Sequence, residues 1–331
     1  MPSPSPFPHR NNYNPKSILT CPHSVLPHDT YGRDMGLFIK AHLPYGLGTN
    51  IAGIVTKLGP GVTKYQIGQH IFGQGSPVAP IPDSTGLQEC ATLLVSDSAL
   101  VPEGFTDDQA CTLPTNAVTA FTVLFNKSNF AFPYPRQKGF DYAAQTLVII
   151  GAGSNVGRLT VQMAKLVGLG KVIAVASPSG EKELRAMGAT HIVDRYSDDM
   201  ARDIYAITGG PDSVTNVVDC VNWTFEFAAQ LVSSTRPGKI VTLHQPPTAL
   251  AELERLGKKD VKAGIALGIR EDFAELADVF WGNIGEWVVQ GKIAPGKFRL
   301  IEGLDEQKIN EALDSYQDGK PVLQAIIHPN S

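Results

Sequence analysis

The sequence has few cysteines, few charged residues and no long apolar run. Its four cysteines lie far apart and form no CxxC pair, which excludes a zinc ribbon and a disulfide framework. This usage predicts a reducing, intracellular setting, and we expect a cytoplasmic protein. A net charge of −4 provides no basic surface for nucleic acid or an anionic membrane. No uninterrupted apolar run is long enough to span a bilayer.

The composition instead indicates a globular protein with a hydrophobic core. Hydrophobic residues make up 43% of the 331 residues, enough apolar material for a core, and the length predicts two domains. Residues 1–25 are rich in proline, asparagine and serine and lack the apolar core of a secretory signal. We therefore expect an irregular N-terminal arm there.

Two kinds of sequence pattern follow residues 1–25. From residue 50 to 124, short β-branched runs such as Ile51–Leu58 and Gln66–Phe72 are separated by turns such as Gly59-Pro60-Gly61, which predicts a small β-barrel or a set of hairpins. Residues 126–144 are rich in aromatics and proline, and we expect a long surface loop.

After residue 144, short apolar runs alternate with helical patterns. This alternation is the signature of a doubly wound parallel sheet. The six expected strands are 145–151, 171–177, 191–194, 214–221, 239–244 and 261–268. A helix over 305–317 and a strand over 322–327 are predicted to return to the first domain.

A glycine-rich turn follows the first strand of this sheet and opens a helix. That context suits a dinucleotide pyrophosphate, because glycine lets the backbone approach the anion and the helix N-terminus offers free N–H groups. Its spacing, GxGxxxG, is one residue longer than the simple fingerprint, so the alternative is a packing turn without a ligand. The predicted contact residues are Gly151, Gly153, Ser154, Asn155, Val156 and Gly157.

The tip of the second strand distinguishes NADH from NADPH. An NAD site needs an acidic residue there, but this strand ends Val-Ala-Ser177. Ser177 can donate to a 2′-phosphate and Lys182 can supply the countercharge, although Glu181 lies between them and weakens the argument. We therefore predict NADPH; the alternative for Lys182 is an ordinary solvated helix residue.

Several motifs in order resemble the medium-chain dehydrogenase/reductase superfamily. They are the stretch Tyr45–Gly73, the segment Leu113–Ala120 (LPTNAVTA) and the element Met187–His191 (MGATH). The nearest branch is the zinc-independent quinone oxidoreductase and fungal trans-enoyl reductase group, the ToxD-like proteins. The resemblance implies a Rossmann doubly wound parallel sheet plus a GroES-like β-rich catalytic domain.

The resemblance also implies domains and further cofactor contacts. The catalytic domain would take residues 26–124 and 295–331, and the NADP(H)-binding domain residues 125–294. Tyr196, just past the third strand, would flank the 2′-phosphate as its counterpart does in the quinone reductase branch. The predicted cofactor set also includes Cys220 and Leu243.

Three departures from the family pattern bear on chemistry. Thr49-Asn50 stands where zinc alcohol dehydrogenases have a His-Glu pair, and the clustered cysteines of their structural zinc lobe are absent, so we predict no metal. Leu26 replaces the asparagine of an N-P-x-D element. The first 25 residues do not resemble the opening strands of the family's barrel, which leaves open a remodelled lobe, an incorrect gene model or loss of the usual reaction.

Without a metal, reduction suits an acceptor that is already electrophilic at carbon. We predict a small, apolar, conjugated substrate, an enone, enoyl thioester or quinone, reduced by hydride transfer. The candidates for catalysis are Tyr31, His28, Thr115 and Asn116, each of which could instead be a loop or helix-start residue. The alternatives are an NADPH-binding protein that has lost reductase activity and a zinc alcohol dehydrogenase with an unrecognised metal site. The sequence carries no prediction of oligomeric state.

Overall fold

A computed structural model describes residues 16–20, 22–76, 83–134, 137–244, 249–317 and 323–329. The strands among them, in chain order, are β1 (Lys16–Thr20), β2 (His23–Val25), β3 (Asn50–Leu58), β4 (His70–Gln74), β5 (Cys90–Leu94), β6 (Ser98–Leu100), β7 (Thr146–Ile150), β8 (Lys171–Ala176), β9 (His191–Asp194), β10 (Asn216–Asp219), β11 (Gly238–Thr242), β12 (Val261–Ile265), β13 (Phe298–Glu302) and β14 (Gln324–His328).

The α-helices of the same residues are α1 (Pro27–Met35), α2 (Asp107–Cys111), α3 (Pro114–Phe125), α4 (Asn155–Val167), α5 (Glu181–Met187), α6 (Met200–Thr208), α7 (Glu226–Leu231), α8 (Ala249–Arg255), α9 (Arg270–Phe273), α10 (Ala277–Val289) and α11 (Glu306–Ser315). Short 3₁₀ turns lie at Lys40–His42, Val95–Asp97, Pro178–Gly180 and Pro211–Ser213.

The chain divides into two compact units. The first unit consists of Met1–Pro114 and Lys297–Ser331, and the second of Thr115–Gly296. The sequence interpretation set its boundaries at residues 124 and 294, so α3 belongs to the second unit.

The second unit is built on six parallel strands in the order β12-β11-β10-β7-β8-β9. The apolar residues of β7 and β8 are buried because helices cover parallel sheets on both faces. The strand order reverses between β7 and β10, which is where such sheets bind their ligands. The predicted doubly wound sheet is therefore confirmed: β9 has the predicted bounds, β11 begins one residue earlier than predicted, and every strand other than β9 ends one to three residues earlier.

The first unit is built on an eight-stranded sheet. Its main path runs β13-β14-β2-β3-β1-β5, and β4 pairs with both β3 and β6. Apart from β13 and β14, which run parallel, neighbouring strands are antiparallel. Residues on one face of β3, β4 and β5 pack with Tyr65 into a core of their own: Ile51, Val55, Ile71, Ala91 and Leu93. The first unit therefore corresponds to the β-rich domain that the family resemblance implied.

Part of the segment expected to be an irregular arm is strand. β1 pairs with β3 and β5, and β2 pairs with β3 and β14, so residues 16–20 and 23–25 belong to the sheet. The expectation rested on local composition, whereas these residues are ordered by pairing with strands distant in sequence. Residues 1–15 of the expected arm lie outside the described residues.

The C-terminal segment supports α1. The predicted last helix and strand appear as α11 and β14, with residue 322 of the expected strand outside the described residues. Thr30 Oγ1 donates to the Leu313 carbonyl over 2.9 Å, and Arg33 pairs with Asp314 over 2.6 Å. The position of α1 therefore depends on residues almost 300 positions further along the chain.

The aromatic stretch after α3 is irregular, as expected, but it is not a surface loop. Phe130, Phe132 and Tyr142 are buried. Tyr134 meets Phe121 of α3 and Trp287 of α10 edge to face, with ring centroids 5.5 and 5.8 Å apart. Proline density correctly predicted the lack of regular structure, but burial of the rings decides where the segment lies.

Among the described residues, no helix combines the length and apolar character needed to cross a membrane.

Candidate functional site

The glycine-rich turn joins β7 to α4 in the second unit. Gly151 has φ +73°, and a Cβ there would lie 2.5 Å from the Val221 side chain. A Cβ on Gly157 would lie 2.4 Å from the Gly151 carbonyl oxygen. Gly153 is exposed, and the nearest atom to a Cβ there is 3.9 Å away. Two glycines thus let the turn close, and the third leaves its outer side open.

The same turn ends in a capped helix. Ser154 Oγ accepts a hydrogen bond from the Gly157 amide over 3.1 Å, and α4 then runs for 13 residues. Asn155 and Val156 form its first turn, so their amides lie at the positive end of the helix dipole. An open glycine cradle at a helix N-terminus fits the pyrophosphate of a dinucleotide.

Arg158, which the sequence interpretation missed, also lies at this turn. Its Nε donates to the Gly153 carbonyl over 3.0 Å, and its Nη1 pairs with Glu183 over 2.7 Å. The arginine thus links the glycine turn to α5, the helix after β8. An arginine directly after the last glycine of the motif was the available signal.

Two serine hydroxyls and one lysine follow the carboxyl end of β8 along the chain. Ser177 Oγ lies 3.0 Å from Ser179 Oγ. Lys182 is exposed and forms no ion pair with another described residue. The Glu181 carboxylate instead pairs with Arg185 over 2.7 Å. The negative charge of Glu181, which weakened the argument for NADPH, is therefore partly balanced by Arg185 of the same helix.

The tip of the neighbouring strand β9 adds a second cation. The Arg195 amide donates to the Ala176 carbonyl over 3.0 Å, which places Arg195 beside the end of β8. Its guanidinium lies 4.6 Å from the centre of the exposed Tyr196 ring and bonds the Tyr196 hydroxyl. No carboxylate among the described residues pairs with Arg195. The sequence interpretation selected Tyr196 and missed Arg195 directly before it.

Cys220 and Leu243 follow β10 and β11 at the same edge. The Cys220 amide donates to the Ile150 carbonyl over 3.0 Å, so its backbone lies beside the end of β7. Burial raises the pKa of the Cys220 thiol, which therefore stays protonated and unreactive. Leu243 is half-buried. Any contact of Cys220 with a ligand is thus a packing contact.

The first unit brings His28, a predicted catalytic residue, next to Thr49. The buried Asp29 carboxylate accepts hydrogen bonds from the amides of Leu26 and Gly48, both over 2.8 Å. These bonds join the start of α1 to the segment before β3. As a result His28 Nε2 lies 3.1 Å from Thr49 Oγ1, with the Asp29 carboxylate 3.5 Å away.

Tyr31 lies three positions after His28 in α1, so both share one face of the helix. Burial raises the pKa of Tyr31, which keeps its hydroxyl protonated at neutral pH. Asn50, in contrast, is fully buried, and its Nδ2 donates to the Cys111 carbonyl over 2.9 Å. Asn50 therefore ties β3 to α2.

Thr115 and Asn116 lie in the second unit, in the first turn of α3. Thr119 Oγ1 donates to the Thr115 carbonyl over 2.7 Å. A Cβ on Gly268, in the segment after β12, would lie 2.0 Å from Thr119 Oγ1. The start of α3 therefore packs closely against the carboxyl end of β12, and Asn116 is buried there.

Among the residues that the structure describes, no three histidine, cysteine, aspartate or glutamate side chains converge as metal ligands. A threonine hydroxyl and a buried amide occupy positions 49 and 50, and neither is a usual zinc ligand.

Comparison with known proteins agrees with this architecture. Residues 155–281 match the zinc-binding dehydrogenase family model. The trans-enoyl reductase himH of Aspergillus japonicus is 26% identical over 314 residues, covering 92% of this chain and 86% of that protein. A quinone oxidoreductase of Pseudomonas syringae superposes with a TM-score of 0.76 at 20% identity, covering 98% and 94% of the two chains.

An alcohol dehydrogenase superfamily protein from Novosphingobium aromaticivorans superposes with a TM-score of 0.74 at 23% identity, covering 97% of this chain and 94% of that one. These folds combine a Rossmann sheet with a GroES-like β-rich unit. Residues 155–281 are thus similar to a zinc-binding dehydrogenase domain, and the fold of the chain is similar to that of medium-chain dehydrogenase/reductase proteins.

Proposed function

We propose that this protein is a zinc-independent, NADPH-dependent reductase of a conjugated C=C bond or a quinone. Similarity to dehydrogenases and reductases of this fold supports an oxidoreductase that binds a nicotinamide cofactor. The choice of NADPH, the absence of zinc and the conjugated acceptor are the proposal.

The observation that carries the choice of NADPH is the set of groups at the tips of β8 and β9. Ser177 and Ser179 offer hydroxyls, and Lys182 and Arg195 offer cations without carboxylate partners among the described residues. A 2′-phosphate needs such donors, whereas the 2′-hydroxyl of NADH needs a carboxylate acceptor. The Glu181 carboxylate is paired with Arg185 through one oxygen, which makes it less available as that acceptor.

The donor set at Thr49 and Asn50 supports a reaction without zinc. A bound reduced nicotinamide supplies hydride to an electrophilic carbon. A carbonyl conjugated to a C=C bond or to a second carbonyl already makes that carbon electrophilic, so the substrate needs only orientation and a proton. An isolated ketone would need a polarising group that neither residue provides.

We assign delivery of the proton to His28. Its Nε2 lies 3.1 Å from the Thr49 hydroxyl and 3.5 Å from the buried Asp29 carboxylate. Its side chain is 22% exposed, which lets the imidazole regain a proton from solvent. His28 would protonate the enolate, or the quinone oxygen, that forms as hydride adds. Tyr31, with its protonated hydroxyl, would hydrogen-bond the developing oxyanion.

The names of similar proteins support this substrate class. One relative is named a trans-enoyl reductase and one structural neighbour a quinone oxidoreductase. Both names describe reduction of conjugated acceptors.

The test is loss of NADPH absorbance with enones, enoyl thioesters and quinones, and its gain with NADP⁺ and simple alcohols. We expect turnover of at least one conjugated acceptor and negligible alcohol oxidation. Robust alcohol oxidation would overturn the proposal. If no acceptor is reduced although calorimetry shows that NADPH binds, the result would instead favour a binding protein without reductase activity.

The His28→Gln variant tests the proton donor. We expect kcat to fall about a hundredfold or more while the Kd for NADPH is unchanged, because general acids contribute on that scale. The exposed His42 supplies the matched control, His42→Gln, which should keep full activity. Equal rates for both variants would remove His28 from the mechanism.

A further inference from the structure

Two aromatic side chains that belong to neither the predicted nor the assigned site meet at the carboxyl edge of the second unit's sheet. The Trp223 indole and the His244 imidazole stack with ring centroids 3.9 Å apart and an angle of 18° between the rings. Trp223 remains 55% exposed, whereas Trp281 and Trp287 are 4% exposed. A large apolar ring left this accessible beside a ligand-binding edge is a candidate contact for a planar ligand.

Two polar residues on neighbouring strands hold the segments that carry Trp223 and His244. Asp219 of β10 and Thr242 of β11 are register partners. The buried Asp219 carboxylate accepts hydrogen bonds from the amides of Val221 and Asn222, over 3.1 and 2.9 Å. Thr242 Oγ1 donates to the His244 carbonyl over 2.7 Å. Each strand thus fixes the short segment that presents one of the two rings.

The segment that carries Trp223 also touches the glycine turn. The Val221 side chain lies 2.5 Å from the point where a Cβ on Gly151 would be. A ligand in the cradle of that turn would therefore extend along an edge that includes Trp223.

The symmetry of the sheet indicates which part of a dinucleotide this would be. Each half of a doubly wound sheet binds one mononucleotide. The half formed by β7, β8 and β9 carries the groups suited to the adenosine 2′-phosphate. The half formed by β10 and β11 carries the stack, so it faces the other mononucleotide.

We propose that Trp223, supported by His244, contacts the nicotinamide half of the bound dinucleotide and sets the position of its ring. His244 acts through Trp223 as a positioning residue. Burial lowers the pKa of His244, so the supporting ring is neutral at physiological pH and does not repel a cationic oxidised nicotinamide. The inference rests on the proposed cofactor site.

The test compares ligands with and without the nicotinamide half. Calorimetry would measure binding of NADPH and of adenosine 2′,5′-bisphosphate to wild type, Trp223→Ala and Trp223→Phe. We expect Trp223→Ala to weaken NADPH binding about three- to tenfold, the range of one aromatic contact, and to leave the bisphosphate unchanged. Trp223→Phe keeps a ring and should lose less. Val289→Ala removes another exposed apolar side chain of the same unit and should change neither affinity.

His244 is tested through the fluorescence anisotropy of Trp223, obtained by subtracting the signal of Trp281 and Trp287 that is measured in Trp223→Phe. His244→Phe preserves a flat support and should keep both the anisotropy and the NADPH affinity. His244→Ala should lower both, although the residue would not touch the ligand itself.

Each other outcome has one meaning. Equal weakening of both ligands by Trp223→Ala would mean that the variant disturbs the glycine turn, and would overturn the inference. Unchanged NADPH binding would overturn it as well and leave the proposed function standing. If wild type binds the bisphosphate but not NADPH, or neither ligand, the cofactor assignment fails first and the inference fails with it.

Discussion

We predict that the buried His23 makes the stability of the first unit depend on pH. The residue is fully buried in β2, and neither ring nitrogen has a hydrogen-bond partner among the described residues. Burial lowers its pKa from 6.5 to about 4, and nearby His328 contributes to the decrease. Backbone groups of Gln88 and Pro22 offset part of it without reaching hydrogen-bonding geometry.

The direction and size follow from proton linkage. Between pH 6.5 and about 4 the unfolded chain binds the proton more readily than the folded chain, so stability is full above pH 6.5 and falls as the pH is lowered. The free energy of unfolding should drop by about 2 kcal/mol at pH 5, and by about 3 kcal/mol below pH 4, from this residue alone.

The assay is urea unfolding followed by circular dichroism at pH 7.5 and pH 5.0. His23→Leu removes the titrating group and replaces a buried polar ring with an apolar side chain. The pH dependence of wild type should exceed that of His23→Leu by about 2 kcal/mol. His42→Leu, at an exposed position, should behave like wild type. Equal pH dependence in His23→Leu and wild type would refute the reasoning.

Three further predictions concern the proposed site. Lys182→Ala should weaken NADPH binding about tenfold and leave NADH binding unchanged, because a charge-assisted contact to phosphate is lost; equal losses in calorimetry would contradict this. Gly157→Ala should weaken both dinucleotides and destabilise the turn, since its Cβ would lie 2.4 Å from the Gly151 carbonyl oxygen, whereas Gly153→Ala should weaken both dinucleotides without destabilising the fold, since its methyl group would meet only the open side of the cradle. Purified protein should contain no stoichiometric zinc by elemental analysis, and one zinc per chain lost together with activity would oppose a zinc-independent reaction.

The sequence predicted the Rossmann sheet well because its signals are local. Short apolar runs such as β7 and β8 need burial on both faces, and glycine between β7 and α4 is required by the close approach at Gly151 and Gly157. Such signals can be recognised in a short stretch of sequence without knowledge of the rest of the chain.

Features that depend on distant residues were missed. β1 is a strand because β3 and β5 pair with it, and its own composition gives little indication of this. The packing of Tyr134, in the aromatic stretch after α3, depends on Trp287 of the distant helix α10.

The same limit applied at the candidate site. His28 and Thr49 were identified separately, but their hydrogen bond depends on Asp29 reaching Gly48. Arg195 and the Trp223–His244 stack follow their strands without a recognised motif, since their significance comes from register between strands. Residue types were therefore predictable where a motif fixed the backbone, and pairings between segments were not.

The path of the chain has a consequence for biosynthesis. The second unit is one continuous segment, residues 115–296, so a ribosome can release all of it before translation ends. The first unit is interrupted by it: β2 must wait for β14, and α1 for the Leu313 carbonyl. The sheet of the first unit and the position of α1, which carries His28, are thus completed last, and until then β2 exposes an unpaired edge to other nascent chains.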